Sequence, residues 1–387
     1  MTNFEPHLIK SLGEFQLYEK QWDELYAASL QHLAVGRHAL VAAFWQHFHT
    51  DQAVEIACVI DAHTGDLAAA LPLVKRNLLR VVPVATTFSN PWCLGFAGMC
   101  SAKYEASTAL AHLLRCVEMG GYQMVTLDLV SNENCFVTQV QNGATQSNRE
   151  IRTIDLFPVG KTVLTTSWDE FTQDWSKKRR RFIRRATQQL SDIGDLRLVK
   201  LHEASWSEVE AGWQVCQEIE QAGWKGSNGT SVAENPAAAK FFAELVKQLY
   251  RSGELRFYLL QLAGRVIAYD LGYLHHRVAT SLKVSYHPEF ATSSPGHVLN
   301  SLVIQDFIES QAADWIDTVG ELNDANAKWC RASYRCQKVE VGLSGWSSRN
   351  LVRSRDWLRN WKRRWLSRPA NDPTAHAPDA AVAGEDG

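Results

Sequence analysis

Asp270 lies inside the apolar run from Val266 to Tyr273, and Tyr286 closes the next strand-like run, Lys283-Val284-Ser285-Tyr286. A carboxylate among apolar neighbours holds its proton to higher pH than usual, which suits a general base. The competing reading is a buried ion pair, with Arg179 one candidate partner. A tyrosine at a strand end can protonate a leaving group or simply fill a core. Just downstream, Ser293-Ser294-Pro295-Gly296-His297 reads as a helix start, with Ser294 as N-cap and Pro295 in the first turn, where its missing N–H is no loss. Gly296 lets a ligand approach the backbone, and the N–H groups of Gly296, His297 and Val298 are expected to point at whatever sits there. A diphosphate fits that arrangement; so does a plain helix start that binds nothing.

A second concentration of chemistry runs from Lys177 to Arg185, seven basic residues and no acid. Ser167 and Glu170 form a capping-box pattern, so a helix is expected over 167–191. At about 100° per residue, Trp168, Phe171, Trp175, Phe182, Ile183, Ala186 and Leu190 share one stripe that should be buried. Six of the basic residues project away from it into solvent. Arg179 falls inside the stripe, where a guanidinium needs a carboxylate, a phosphate or backbone carbonyls; it is singled out as an ion-pair partner or a ligand contact. Trp224 and Lys225 stand in the Gly-rich stretch 223–230, either a cover for an acceptor site or an ordinary Ω-loop. His275 and His276 read as a turn, and no metal site is expected.

The elements that must position these residues repeat. A hairpin over 53–76, turning at 61–66, corresponds to a second over 254–276, turning at Ala263-Gly264. After a further strand and a loop each leads to a helix and one more strand, at 104–119 and 122–130 in the first half and at 296–312 and 314–322 in the second. Helices are expected before each sheet, over 19–32 and 39–49, then over 205–221 and 236–252. The fold class implied is α/β with a mixed sheet in two similar halves joined near 145–165. Residues 349–368 form a basic amphipathic helix with Trp357, Trp361 and Trp365 on one side, suited to docking on the body or to an anionic membrane surface. Residues 369–387 have the composition of a disordered tail.

The formal net charge of -2 hides a segregation: 177–185 carries seven basic groups, 349–368 carries eight basic and one acidic, and the remainder is strongly acidic. Nucleic-acid binders are usually basic over a whole domain, so only these two segments could contact a polyanion. The eight cysteines show no CxxC spacing and sit mostly in apolar stretches, as buried free thiols do in a reducing compartment. No secretory leader or 18-residue apolar run is apparent, so a cytoplasmic protein is expected, with peripheral contact at the inner face of the membrane through 349–368.

The basic helix 176–190, "GWKGSNGT" (223–230), "GRVIAYDLGY" (264–273), "KVSYHPEFATSSPGHVL" (283–299) and "GELNDANAKW" (320–329) together resemble the GNAT acetyltransferase superfamily. More narrowly, they are similar to the bacterial acetyltransferase-like family of cellulose and exopolysaccharide gene clusters, related to cell-wall peptidyltransferases with two GNAT-like halves. The resemblance implies a GNAT fold, with a degenerate half at 1–150, an acyltransferase half at 151–345, the amphipathic helix at 346–368 and the tail at 369–387. It implies acetyl-CoA or another acyl-CoA as co-substrate, its pantetheine arm along 280–287 (Lys283, Val284, Ser285) and its pyrophosphate on Ser293, Ser294, Gly296 and His297. Lys328 falls near a family substrate position. Acyl transfer would make Asp270 the base and Tyr286 the acid, acting on an amine or hydroxyl of a small molecule or glycan precursor. Two other readings follow from the same residues: an aminoacyl-tRNA-dependent transferase using the basic helix, and a non-catalytic GNAT-like protein recruited to a membrane.

Overall fold

The structure, a computed structural model, describes residues 3–29, 33–50, 53–78, 80–90, 96–223, 231–343, 345 and 348–353. The strands are β1 (Phe4–Ile9), β2 (Val54–Asp61), β3 (Leu67–Leu78), β4 (Val82–Thr87), β5 (Met99–Cys100), β6 (Met124–Ser131), β7 (Ile151–Val163), β8 (Leu196–Lys200), β9 (Leu255–Leu262), β10 (Arg265–His275), β11 (Val278–Tyr286), β12 (Trp315–Glu321) and β13 (Ala332–Gly342). The α-helices are α1 (Leu12–Gln16), α2 (Glu19–Ala28), α3 (His38–Phe48), α4 (Ala106–Met119), α5 (Cys135–Gln146), α6 (Trp168–Thr172), α7 (Lys177–Ser191), α8 (Trp206–Ala222), α9 (Pro236–Arg251) and α10 (Pro295–Ser310).

All thirteen strands join one mixed sheet in the order β1-β2-β3-β4-β6-β13-β7-β12-β11-β10-β9-β8, with β5 added to β3. The halves repeat the same plan. In the first, β1 to β4 run antiparallel, α4 crosses over and β6 lies parallel to β4; in the second, β8 to β11 run antiparallel, α10 crosses over and β12 lies parallel to β11. The last strands are exchanged. β7 leaves the first half yet pairs with β12, while β13 ends the second half yet pairs with β6, and the two pair antiparallel at the centre. The joint expected near 145–165 is therefore a central strand.

β2 and the first eight residues of β3 are buried almost throughout, as expected of strands covered on both faces. One core spans both halves: Trp22, Phe44 and Trp45 under α1–α3 are continuous with Trp213, Phe241 and Phe242 of α8 and α9, and Phe44 meets Phe241 at 6.0 Å. On the opposite face a second core lies under α4 and α5, and a third under α6, α7 and α10. A buried cluster also ties the halves together. Arg37 donates to Glu254 at 2.7 and 2.5 Å, and His275 meets the same carboxylate at 2.5 Å. Against the cost of burial, the hydrogen bonds from His275 and Arg37 hold Glu254 down to about 2.

The helix expected over 167–191 is two. The Ser176 hydroxyl accepts the Arg179 N–H at 3.2 Å and caps α7, so the chain turns between α6 and α7 and Trp175 leaves the helical stripe. Phe182, also expected in that stripe, is 43% exposed. The amphipathic segment begins docked: Val352 is buried against Val84 and Met124, and Arg353 pairs with Glu150 at 3.0 Å. Trp357, Trp361, Trp365 and the tail lie outside the described residues. No helix among the described residues is long and apolar enough to cross a membrane.

Candidate functional site

The parallel ladder between β11 and β12 covers only Val278–Trp315, Ala279–Ile316 and Thr280–Asp317, after which the strands part. The cause lies on the other side of β11. Its register with β10 shifts between Leu271 and Gly272, leaving Leu282 as an extra residue that bends the strand. Gly272 permits the bulge, since a Cβ there would sit 1.9 Å from the Thr280 carbonyl oxygen. Beyond Thr280, β11 is not laddered to β12, and the resulting slot suits an extended chain carrying amides.

Register assigns the expected residues to two faces. Asp270, Ser281, Val284 and Tyr286 face α10; Lys283, Ser285 and Asp317 face the opposite side. Asp270 is buried and accepts the Ser281 hydroxyl at 2.9 Å, and burial pushes its carboxyl up to about 7. It does not pair with Arg179. Tyr286 is 38% exposed, and an added Cβ on Gly296 would meet its ring at 3.4 Å, an ordinary contact. Packing therefore leaves room for a side chain at 296. Lys283 was expected beside a cofactor, but its Nζ lies 2.6 Å from Glu220 Oε1 and over the Phe242 ring. On the α8–α9 face the Glu220 carboxylate offsets the burial of this long cation. Of Lys283 and Ser285, backbone rather than side chain can line the slot.

At the start of α10 the cap differs from expectation. Ser294 is left-handed (φ 53, ψ 49) and its side chain makes no capping bond. Its carbonyl accepts the N–H groups of His297 at 3.0 Å and Val298 at 3.3 Å, so these two do not point outward. The Gly296 N–H has no acceptor among the described residues. The Ser293 and Ser294 side chains are half-buried beside it.

Arg179 reaches the same place from α7. Its guanidinium stacks 3.6 Å from the Trp175 ring centroid and 4.9 Å from that of Trp329. Burial lowers it to about 10, and its Nη2 is enclosed without an acceptor among the described residues. The His297 ring lies 6.0 Å from Trp329 and 5.5 Å from Phe182, and burial, Lys328 and Arg179 together disfavour its protonation. Lys328 is exposed next to them. Arg179, Gly296, His297 and Lys328 thus converge, with Tyr286 against Gly296, although they come from four segments. Trp224 and Lys225 lie outside the described residues. The remaining basic groups of α7, apart from Arg180, which donates to the Thr172 carbonyl, project into solvent as expected.

Sequence reasoning missed Asp317. It stands where β11 and β12 separate, nearly fully buried, and burial raises it to about 6 against hydrogen bonds from the Val319 N–H and Tyr334. Lys161 lies over the Trp315 ring at 4.5 Å and the Tyr334 ring at 5.6 Å on the same face. Val319, a β-branched residue, adopts φ 43, a conformation that marks imposed strain. An acid in the mostly apolar run "DWIDTVGEL" was the available signal.

Residues 177–327 match the family model described as an acetyltransferase (GNAT) domain. The chain carries a GNAT-type acyltransferase domain, within a fold of two GNAT-like halves. Solved structures similar to it extend over most of its length. FemX is similar at TM-score 0.56 and 10% identity, covering 86% of this chain and 98% of that one. A conserved protein of unknown function from Bacteroides thetaiotaomicron VPI-5482 gives 0.52 and 9% over 89% and 100%, and L-PGS from Bacillus licheniformis 0.50 and 12% over 89% and 96%. At such identities the likeness is one of fold. No curated protein matches the sequence.

Proposed function

We propose that the second half, 151–345, transfers an acyl group, acetyl in the first instance, from an acyl-CoA to an amine or hydroxyl of a sugar or amine-bearing precursor, in polysaccharide or envelope synthesis. The observation that carries this reading is the open slot along β11 leading to the start of α10, where the Gly296 N–H has no acceptor among the described residues. The pantetheine amides would pair with the backbone of 281–286, and the pyrophosphate would lie against Gly296, Ser293, Ser294 and His297. Asp270, half-ionised near neutrality, would take the acceptor's proton through Ser281 Oγ. The acceptor then attacks the thioester carbonyl and the tetrahedral adduct expels the CoA thiolate at the Ser281 end of the slot, where the proton taken up by Asp270 returns to the sulfur; Tyr286, against Gly296, would contact the pyrophosphate end. Trp224 and Lys225 are retained as acceptor contacts.

One observation favours a second reading, an aminoacyl-tRNA donor. None of Lys177, Lys178, Arg180, Arg181, Arg184 and Arg185 has a carboxylate partner among the described residues, which leaves a basic outer face. Thermal melting separates the two. Acetyl-CoA at about 100 times its Kd stabilises by about 2.7 kcal/mol, a rise of a few degrees, and the rise should vanish in Gly296→Glu. No rise with any acyl-CoA, together with salt-sensitive tRNA binding, would transfer the assignment to the second reading.

A further inference from the structure

We propose that Asp317 and the Thr280 hydroxyl hold the acceptor's nucleophile at the head of the slot, on the face opposite Asp270, and that they receive it as an ammonium whose first proton Asp317 takes. The inference rests on the acyl-CoA reading of the slot. Thr280 and Asp317 form the last rung between β11 and β12, side by side on the face that carries Tyr273 and the α8–α9 core. Thr280 is 2% exposed, and its Oγ1 is enclosed without a partner among the described residues. A buried hydroxyl in that state is costly until something supplies the missing hydrogen bond. The Ser281 end of the slot, where the thioester would lie, begins at the next residue of β11.

The backbone aims Asp317 at that place. Directly after it the register with β7 slips, so that residues 318–320 stand out before Glu321 meets Val159. Such a bulge re-aims side chains and is common next to active sites. Val319, inside it, takes φ 43 and donates its N–H to Asp317 Oδ1 at 2.8 Å, so the strained residue is one that holds this carboxylate. Both walls of the slot therefore bulge at its head, β11 at Leu282 and β12 at 318–320, and a buried carboxyl stands on each face, Asp270 on one and Asp317 on the other.

Two carboxyls suit an amine rather than a hydroxyl. An ammonium gives up one proton before it can attack and a second once the C–N bond has formed, whereas a hydroxyl gives up one. The first passes from the ammonium to the Asp317 carboxylate. The neutral nitrogen then attacks the thioester carbon, the C–S bond breaks, and the second proton travels from nitrogen through Ser281 to Asp270 and on to the thiolate. Asp317 returns its proton to solvent, so ammonium and thioester become amide, thiol and one proton. Burial raises Asp317 only to about 6, which leaves it ionised at neutral pH. The groups that face it are Lys161 and Glu133, paired with each other, and Tyr334, Cys330 and Cys336, whose phenol and thiols burial keeps protonated. The Lys161 ammonium, over the Trp315 and Tyr334 rings, shows that this face already accommodates one such cation.

The test follows thiol release from acetyl-CoA by the full chain, with glucosamine and ethylamine as amine probes and glucose and ethanol as their hydroxyl counterparts, beside a CoA titration of each variant. Wild type should release thiol with the amines and not with the alcohols. At pH 7, Asp317→Asn should lose about 10²-fold or more in rate, and Thr280→Val about tenfold, chiefly through the KM of the amine, with CoA affinity unchanged in both. Between pH 7 and pH 9 the Asp317→Asn deficit with ethylamine should shrink about tenfold or more, because solution then supplies the neutral amine, while an Asp270→Asn deficit should stay. A merely structural Asp317 would lose CoA affinity together with rate and show no such recovery. Wild-type rates in Asp317→Asn, a deficit equal at both pH values, release by alcohols as fast as by amines, or no amine-dependent release from a chain that binds CoA would each overturn this inference alone. No CoA binding by the wild type would remove the acyl-CoA reading and this inference with it.

Discussion

The two halves share a topology and differ at the same two points. At the helix that crosses between the parallel strands, the first half fills the anion position with its own chain. Glu105 caps α4, accepting the N–H groups of Ser107 at 3.2 Å and Thr108 at 2.8 Å, and hydrogen bonds from the Ser107 and Thr108 hydroxyls help lower its carboxyl to about 2. In the second half Ser294 offers no side chain to α10, and Gly296 lies open beside it. At the parting of the strands, the first half is stitched: the Asp128 N–H donates to Thr87 Oγ1 at 2.9 Å, and Ser89 donates to the Asp128 carboxylate at 3.3 Å. The register position of Thr126 there is taken by Asp317 in the second half. At these two points the first half is closed where the second is open, and the contrast supports the proposal that ligand binds in 151–345.

The largest expected effect breaks the open half. Ser281→Ala, which removes the relay between Asp270 and the acceptor, should reduce kcat by about 10²–10⁴ while leaving CoA affinity unchanged, read from steady-state rates and titration together. A proportional loss of affinity would make Ser281 a binding residue instead.

Next comes the interface that holds the halves together. Arg37→Ala strips Glu254 of its bidentate partner beside the shared core and should destabilise the fold by about 3 kcal/mol at pH 7. The depressed Glu254 carboxyl sets the sign: its contribution is full above the unfolded value near 4.5 and is lost as pH falls toward about 2, so the difference between variant and wild type should shrink over that window. Melting curves across pH check this, and an unchanged difference would place the effect elsewhere.

Asp270→Asn reads the opposite sign. Because burial raises this carboxyl to about 7, its proton is held more tightly folded than unfolded, so its relative contribution is full below about 3.8 and is lost as pH rises through 7. The variant should melt higher than wild type at pH 8, by less at pH 5, and match it only below about 3.8, and it should lose activity at pH 8 and pH 5. A variant less stable at pH 8 would mean that Asp270 is held as an ion pair.

The smallest effect sharpens the closed half. Glu105→Ala removes a cap and should lower the melting temperature at pH 7, with the difference narrowing as pH falls from 4.5 toward 2. It should not create CoA affinity, because Thr87 and Ser89 still bridge the parting strands.

The meanders and crossover helices were legible because their signals are local: alternating runs with tight turns at 61–66 and 263–264, and Ser-Pro-Gly before α10. The exchange of β7 and β13 was not, since the pairing of Arg152 with Glu340 joins residues 188 apart and leaves no mark in either segment alone. Within the site, Asp270, Tyr286, Gly296 and Arg179 stood out by type and neighbours. What Arg179 touches was legible in part: Trp175 stands four residues before it on the expected stripe, whereas Trp329 lies far along the sequence. Lys283 misled because a strand residue's face depends on a bulge, and the one at Leu282 had no signature beyond Gly272 on the facing strand.

The measurement that tests the central claim most directly is a calorimetric titration of CoA against wild type, Glu105→Ala and Gly296→Glu, read for stoichiometry. One site per chain in the first two proteins and none in the third is the expected result. Two sites per chain, or one that survives Gly296→Glu, would contradict the assignment of the donor to the open half.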